Sequence, residues 1–137
     1  MRDSSLDIGA LEKAITRLQE GLVRYLGDVG DTQIRDGLIQ RFEFTYEISH
    51  KMLKRYLEFA SATPAQYDSM PFQDLIRSGN EQGLLAGEWV NWRTYRDMRS
   101  KISHTYDEDI AVEVVQGIPA FLDEAIFLRD QLRSRLK

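Results

Sequence analysis

The stretch "RFEFTYEISHKMLKRYLE", residues 41–58, decides how this chain folds. Phe42, Thr45, Ser49, Met52 and Tyr56 recur three or four positions apart, the spacing of one face of an α-helix. Followed outward, the stripe begins at Leu38 and reaches Ala60. It predicts a long helix from about Thr32 to Ala62, stopped by Pro64.

The flanking segments carry the same period. A first helix is expected from Ser4, with Asp7 three residues on to complete a capping arrangement. Its stripe is Leu11, Ile15, Leu18, Leu22 and Tyr25 or Leu26, and "GDVGD" (27–31) ends it. Pro71 opens a short helix, "PFQDLIRS", closed by Gly79. A further helix spans about Gly87 to Ser103. The last begins near Asp107 and runs towards the C-terminus through Ile110, Val114, Phe121, Ile126, Leu128 and Leu132. Pro119 should kink or split it. Four substantial helices with short links predict an all-α fold: an up-and-down antiparallel four-helix bundle with an extra short helix. Residues 1–137 show no internal repeat, low-complexity segment or linker, which reads as one domain.

Composition narrows the chemistry. With 42% hydrophobic and 29% charged residues, the chain has the balance of an ordinary soluble globular protein. It has no cysteine, so disulfides, thiol chemistry and thiolate metal sites are excluded. "MRDSSLDIGA" lacks an apolar signal core, and no run approaches membrane-spanning length, so a cytoplasmic location is expected. The net charge of -4 argues against a general nucleic-acid binder. Local charge differs, because "RTYRDMRSK" (93–101) sets Arg93, Arg96, Arg99 and Lys101 against Asp97 alone.

Within that segment Arg99 is out of place. On a wheel of about 100° per residue, Leu85, Trp89, Trp92, Tyr95, Met98 and Ile102 spread over one side, with Arg99 near the middle of their arc. A charge there is costly unless it is paired or lines a cleft. Pairing with an acidic residue of a neighbouring helix is one reading. The other is a cleft shared with His104, one of two histidines. On a straight helix the two would diverge by about 140°, so they converge only if the helix ends between them or a second chain contributes. Thr105 and Glu108 have capping-box spacing, and His104 near a helix C-terminus would suit the dipole. His50, Lys51, Lys54 and Arg55 read as a solvated face, and "WVNW" (89–92) as core. No glycine-rich phosphate loop, serine nucleophile motif, calcium loop or zinc constellation is present.

"RFEFTYEISHKMLKRYLE" followed by "RSKISHTYDEDIA" (99–111) resembles the nucleotidyltransferase substrate-binding proteins of the HEPN superfamily, over nearly the whole chain. The family motif is an arginine, four to six residues, then a histidine, which Arg99 and His104 match. Tyr106 matches the tyrosine that one subgroup carries two positions later. Ser100 departs from the asparagine or larger polar residue common after the arginine. The resemblance implies a homodimer with both motifs around one cleft, and a partner minimal nucleotidyltransferase encoded nearby, the two acting as toxin and antitoxin. It further implies a metal-independent ribonuclease acting on RNA without a cofactor. Arg99 and His104 would be catalytic, and Tyr106 would accept adenylyl groups from the partner. Arg96, Ser100 and Lys101 are candidate RNA or nucleotide contacts. The alternative is a non-catalytic substrate- or nucleotide-binding subunit of a nucleotidyltransferase complex.

Overall fold

In the computed structural model, which describes residues 6–136, the stripe of the 41–58 segment faces the core from a 28-residue helix, α2 (Thr32–Phe59). Leu38, Phe42, Thr45, Ser49, Met52 and Tyr56 are all buried along it. Asp31 caps its start, accepting from the N–H groups of Gln33 and Ile34 at 2.9 and 3.1 Å. The helix ends three residues before the expected Ala62. Ser61 Oγ accepts from Thr63 N–H at 2.9 Å, a local turn that replaces the helical pattern ahead of a 3-10 turn over Pro64–Tyr67.

The other elements are α1 (Gly9–Leu26), α3 (Phe72–Glu81), α4 (Trp89–Ser100) and α5 (Glu108–Arg135), and no strand occurs among the described residues. Several ends differ from expectation. Ser4 lies outside the described residues. Asp7 accepts from Gly9 N–H at 2.8 Å, so its carboxylate meets the first residue of α1 instead of standing inside the helix. Gly79 does not close α3, because it serves a close approach: a Cβ there would lie 2.9 Å from Leu85 Cδ1. The reversal falls at Gly83, whose φ of 74° suits glycine. At its start α4 is shorter than expected, since Glu88 and Asn91 form a reciprocal capping box. It also stops before Ser103, tightening into a 3-10 turn over Ile102–His104. α5 is capped by Asp107 and not by Thr105, whose hydroxyl donates to the Ile102 carbonyl at 2.8 Å. Pro119 does not split α5. Buried Ile118, Phe121 and Leu122 on either side pack into the core and hold the helix across the missing N–H.

Residue contacts fix the direction of each helix. Thr45 Oγ1 lies 3.3 Å from the Ala14 carbonyl and Arg41 Nη1 donates to the Arg17 carbonyl at 2.7 Å, so α1 and α2 are antiparallel. Tyr46 meets Trp92 while Glu43 meets Arg99, which runs α2 against α4. Trp92 packs on Phe121 while Lys101 pairs with Glu113, which runs α4 against α5. Glu12 and Arg133 close the ring between α1 and α5 at 2.7 Å. Across the diagonal α2 and α5 are parallel, with Arg35 on Glu108 and Phe42 on Phe121. This is an up-and-down antiparallel four-helix bundle, with α3 as the extra short helix.

Edge-to-face aromatic contacts fill its centre. Phe121 meets Phe42 at 5.1 Å and Tyr95 at 5.3 Å, and Tyr95 meets Trp92 at 5.4 Å. Burying each such ring contributes about 1.5–3 kcal/mol, which is what clamps α4 between α2 and α5. The orientation of the last turn of α4 depends on that clamp.

Candidate functional site

Met98 is buried and its neighbour Arg99 sits at the edge of the core, with its side chain 37% exposed. Its guanidinium reaches across to α2. Arg99 Nε and Nη2 donate to one oxygen, Glu47 Oε2, at 2.9 and 2.6 Å. Nη2 also lies 3.2 Å from Glu43 Oε2, one turn earlier. Hydrogen bonding to Glu47, against the opposing effect of burial, holds the Arg99 guanidinium above its ordinary pKa. The inward direction of Arg99 therefore has a partner on a neighbouring helix.

Tyr46 stands between the two glutamates in sequence and faces the core. Burial pushes its phenol up to about 12, with Arg96 and Arg99 pulling the other way. Arg96 is exposed, with its guanidinium 5.9 Å from the ring centres of both Phe72 and Trp89. Ser100 Oγ donates to the Arg96 carbonyl at 3.1 Å, and Lys101 Nζ donates to Glu113 Oε2 at 2.8 Å. Trp92 is core, as expected of the 89–92 stretch, while Trp89 is only partly buried.

α4 ends at Ser100, between Arg99 and His104, so the divergence calculated for a straight helix does not apply. His104 and Tyr106 are exposed on the linking segment, their ring centres 6.2 Å apart at 62°. Tyr106 is 87% exposed. The fold thus gathers Arg99 with Glu43 and Glu47, and His104 with Tyr106. No hydrogen bond joins Arg99 to His104 among the described residues. Glu43 and Glu47 also border an open groove of about 910 Å³ between α1 and α2, where Lys13, Arg17, Arg41 and exposed Phe44 line the walls.

Sequence reasoning missed Glu43 and Glu47. Their i, i+4 spacing beside the buried stripe of α2 was the available signal. His50 also differs from the expected solvated face. It is half-buried, with Phe72 edge-on at 4.7 Å, and burial followed by the nearby Lys54 lowers its pKa. Among the described residues no three His, Asp or Glu side chains are gathered as a metal-binding group. No helix among them is long and apolar enough to cross a membrane.

The profile of the family described as "Nucleotidyltransferase substrate binding protein like" matches residues 6–134. The chain belongs to this family. The resemblance to HEPN nucleotidyltransferase substrate-binding proteins drawn from residues 41–58 and 99–111 therefore holds. Among similar members, a Haemophilus influenzae protein named "Probable ribonuclease HepT" is 36% identical, over 98% of this chain and 97% of that one. A solved H. influenzae structure, described as revealing the fold of a substrate binding domain of a nucleotidyltransferase, superposes with a TM-score of 0.86. It is 35% identical and spans 93% of this chain and 99% of its own. A solved Thermus thermophilus structure aligns with a TM-score of 0.73 at 30% identity, over 90% of this chain and 98% of that one. The all-helical architecture of this nucleotidyltransferase substrate-binding protein is thus shared with solved relatives.

Proposed function

We propose that the chain is a cytoplasmic, metal-independent endoribonuclease, the toxin of a toxin–antitoxin pair whose partner is a minimal nucleotidyltransferase. One observation carries the reading: a guanidinium held in place at the end of α4 precedes an exposed imidazole and an exposed phenol on the adjoining link. The relative named probable ribonuclease supports it. RNA cleavage without a metal needs a base for the 2′-hydroxyl, an acid for the leaving oxygen and a cation for the phosphate. His104 can act as base or acid, the role imidazole most often fills in proton transfer. Arg99 donates to the non-bridging oxygens. The 2′-oxygen attacks phosphorus as its proton passes to one His104. The bond to the 5′-oxygen breaks, and that oxygen takes a proton from the second His104 of a two-fold homodimer. The products are a 2′,3′-cyclic phosphate and a 5′-hydroxyl. Arg96, Ser100 and Lys101 would border the strand.

Incubation of purified protein with RNA in EDTA tests this reading. Cleavage leaving a cyclic phosphate, lost in Arg99→Ala and in His104→Ala with helicity intact, is the expected result. A requirement for magnesium, full activity in His104→Ala, or a monomer by light scattering at tens of micromolar would overturn it. The double carboxylate contact on Arg99 favours a second reading, a non-catalytic substrate- or nucleotide-binding subunit. Wild-type protein that binds RNA or nucleotide without cleaving RNA would support that one instead.

A further inference from the structure

We infer that Glu47 is the positioning residue for Arg99, fixing the guanidinium so that its remaining edge meets the scissile phosphate. The inference rests on the ribonuclease reading and adds a residue to it. Arg99 Nε and Nη2 form one edge of the guanidinium fork, and both donate to the single oxygen Oε2 of Glu47. At 2.9 and 2.6 Å these are charge-assisted contacts of the strong kind, and two donors on one acceptor fix the plane of the group as well as its place. Nη1 donates to no atom of the described residues, which leaves the far edge for a phosphate oxygen.

The support behind Glu47 is rigid. It lies mid-way along α2, flanked by buried Thr45, Tyr46 and Ser49, and Tyr46 packs on Trp92 of α4. The carboxylate and the arginine it holds therefore ride on two helices locked by one aromatic cluster. Without Glu47, a long flexible side chain would have to be ordered by the substrate itself. Glu43 is a weaker support, with one ion-pair contact at 3.2 Å and no hydrogen bond to Arg99. Glu47 does not have to leave for RNA to bind, because it occupies the edge opposite Nη1. Its side chain is 51% exposed, so water screens its repulsion of the incoming phosphate.

The test compares wild-type full chain with Glu47→Ala, Glu47→Gln and Glu43→Gln, each checked for unchanged helicity. Glu47→Ala should lower kcat by about 10- to 100-fold with KM little changed, the signature of lost orientation. Glu47→Gln, whose amide oxygen can still accept from Nε and Nη2, should recover most of the rate, and Glu43→Gln should lower kcat less than Glu47→Ala does. In nitrogen-resolved NMR the Arg99 Nε–H signal, assigned by its loss in Arg99→Lys, should exchange slowly with water in wild type and fast in Glu47→Ala. Unchanged kcat in Glu47→Ala would overturn the inference. So would a gain in activity with lowered KM, which would mark Glu47 as a competitor for Arg99. Wild-type protein that leaves RNA intact would sink the ribonuclease reading and this inference together, whereas active wild type with an indifferent Glu47→Ala sinks this one alone.

Discussion

Arg35, buried at 7% exposure in the first turn of α2, donates to Glu108, the first residue of α5, at 2.5 Å. The contact ties the end of the 101–107 link to the body of the bundle, since Asp36, the other acidic partner, lies 3.5 Å away. Glu108→Ala should cost about 1–3 kcal/mol in urea unfolding, because it strips a buried cation of its hydrogen-bonded partner. Arg35→Met should cost less, since an apolar side chain replaces the ion and leaves only an exposed carboxylate. The reverse order would show that the guanidinium stem, and not its charge, is what holds α5.

Glu124 makes a second long-range tie. At 4% exposure it accepts from the N–H groups of Ala86 and Gly87 at 2.8 and 2.7 Å, anchoring the approach to α4. Glu124→Leu should destabilise by about 1–3 kcal/mol for each N–H left buried without an acceptor. Glu124→Gln keeps one acceptor oxygen and should cost less. Thermal unfolding that ranks the two variants equally would mean that water replaces the carboxylate.

The same residue and His50 give opposite responses to pH. Burial raises the Glu124 carboxyl, so the folded chain keeps this proton while the unfolded chain loses it near pH ~4.3. Its contribution to stability falls as pH rises through the folded value. Burial, then Lys54, lowers the His50 pKa, so between that value and about 6.5 the unfolded chain binds the extra proton. Stability should therefore decline as pH falls from about 6.5, and His50→Gln should flatten that decline. An identical slope in the variant would place the titration elsewhere.

Tyr106 tests the control that the family resemblance implies, adenylylation by the partner. In that reaction its exposed phenol would attack the α-phosphorus of ATP bound by the partner, displacing pyrophosphate and forming a phosphodiester. The added phosphate would compete for Arg99 and the base would obstruct the link. Incubation with the partner, ATP and magnesium should add AMP units, seen by intact mass, and should silence cleavage. Tyr106→Phe should stay unmodified and remain toxic when the partner is co-expressed. Equal modification of that variant would move the acceptor elsewhere.

The long stripe of α2 was legible because one face of one helix writes its own period, and the aromatic core follows from it. Helix ends were harder. Gly79 reads as a stop in isolation, yet it is a contact point for Leu85, a residue beyond the helix. Pro119 reads as a break, yet side chains from other helices hold α5 together. Arg99 was visible as misplaced. The wheel of one helix carries no register with another, so Glu47 could not be matched to Arg99 until α2 and α4 were set against each other.

The hairpin of α1 and α2 is closed by the short link 27–31, whereas α5 must bring Arg133 back to Glu12 across 121 positions. Loop-closure entropy and synthesis from the N-terminus both order these events in time. The Arg99–Glu47 contact joins α2 and α4, but Phe121 of α5 completes the clamp that orients the last turn of α4, and the His104–Tyr106 link is pinned only when α5 docks. On the ribonuclease reading, activity should therefore be the last property the nascent chain acquires. Pulsed hydrogen exchange during refolding should protect 9–59 before 108–135, and simultaneous protection would argue for assembly in a single step.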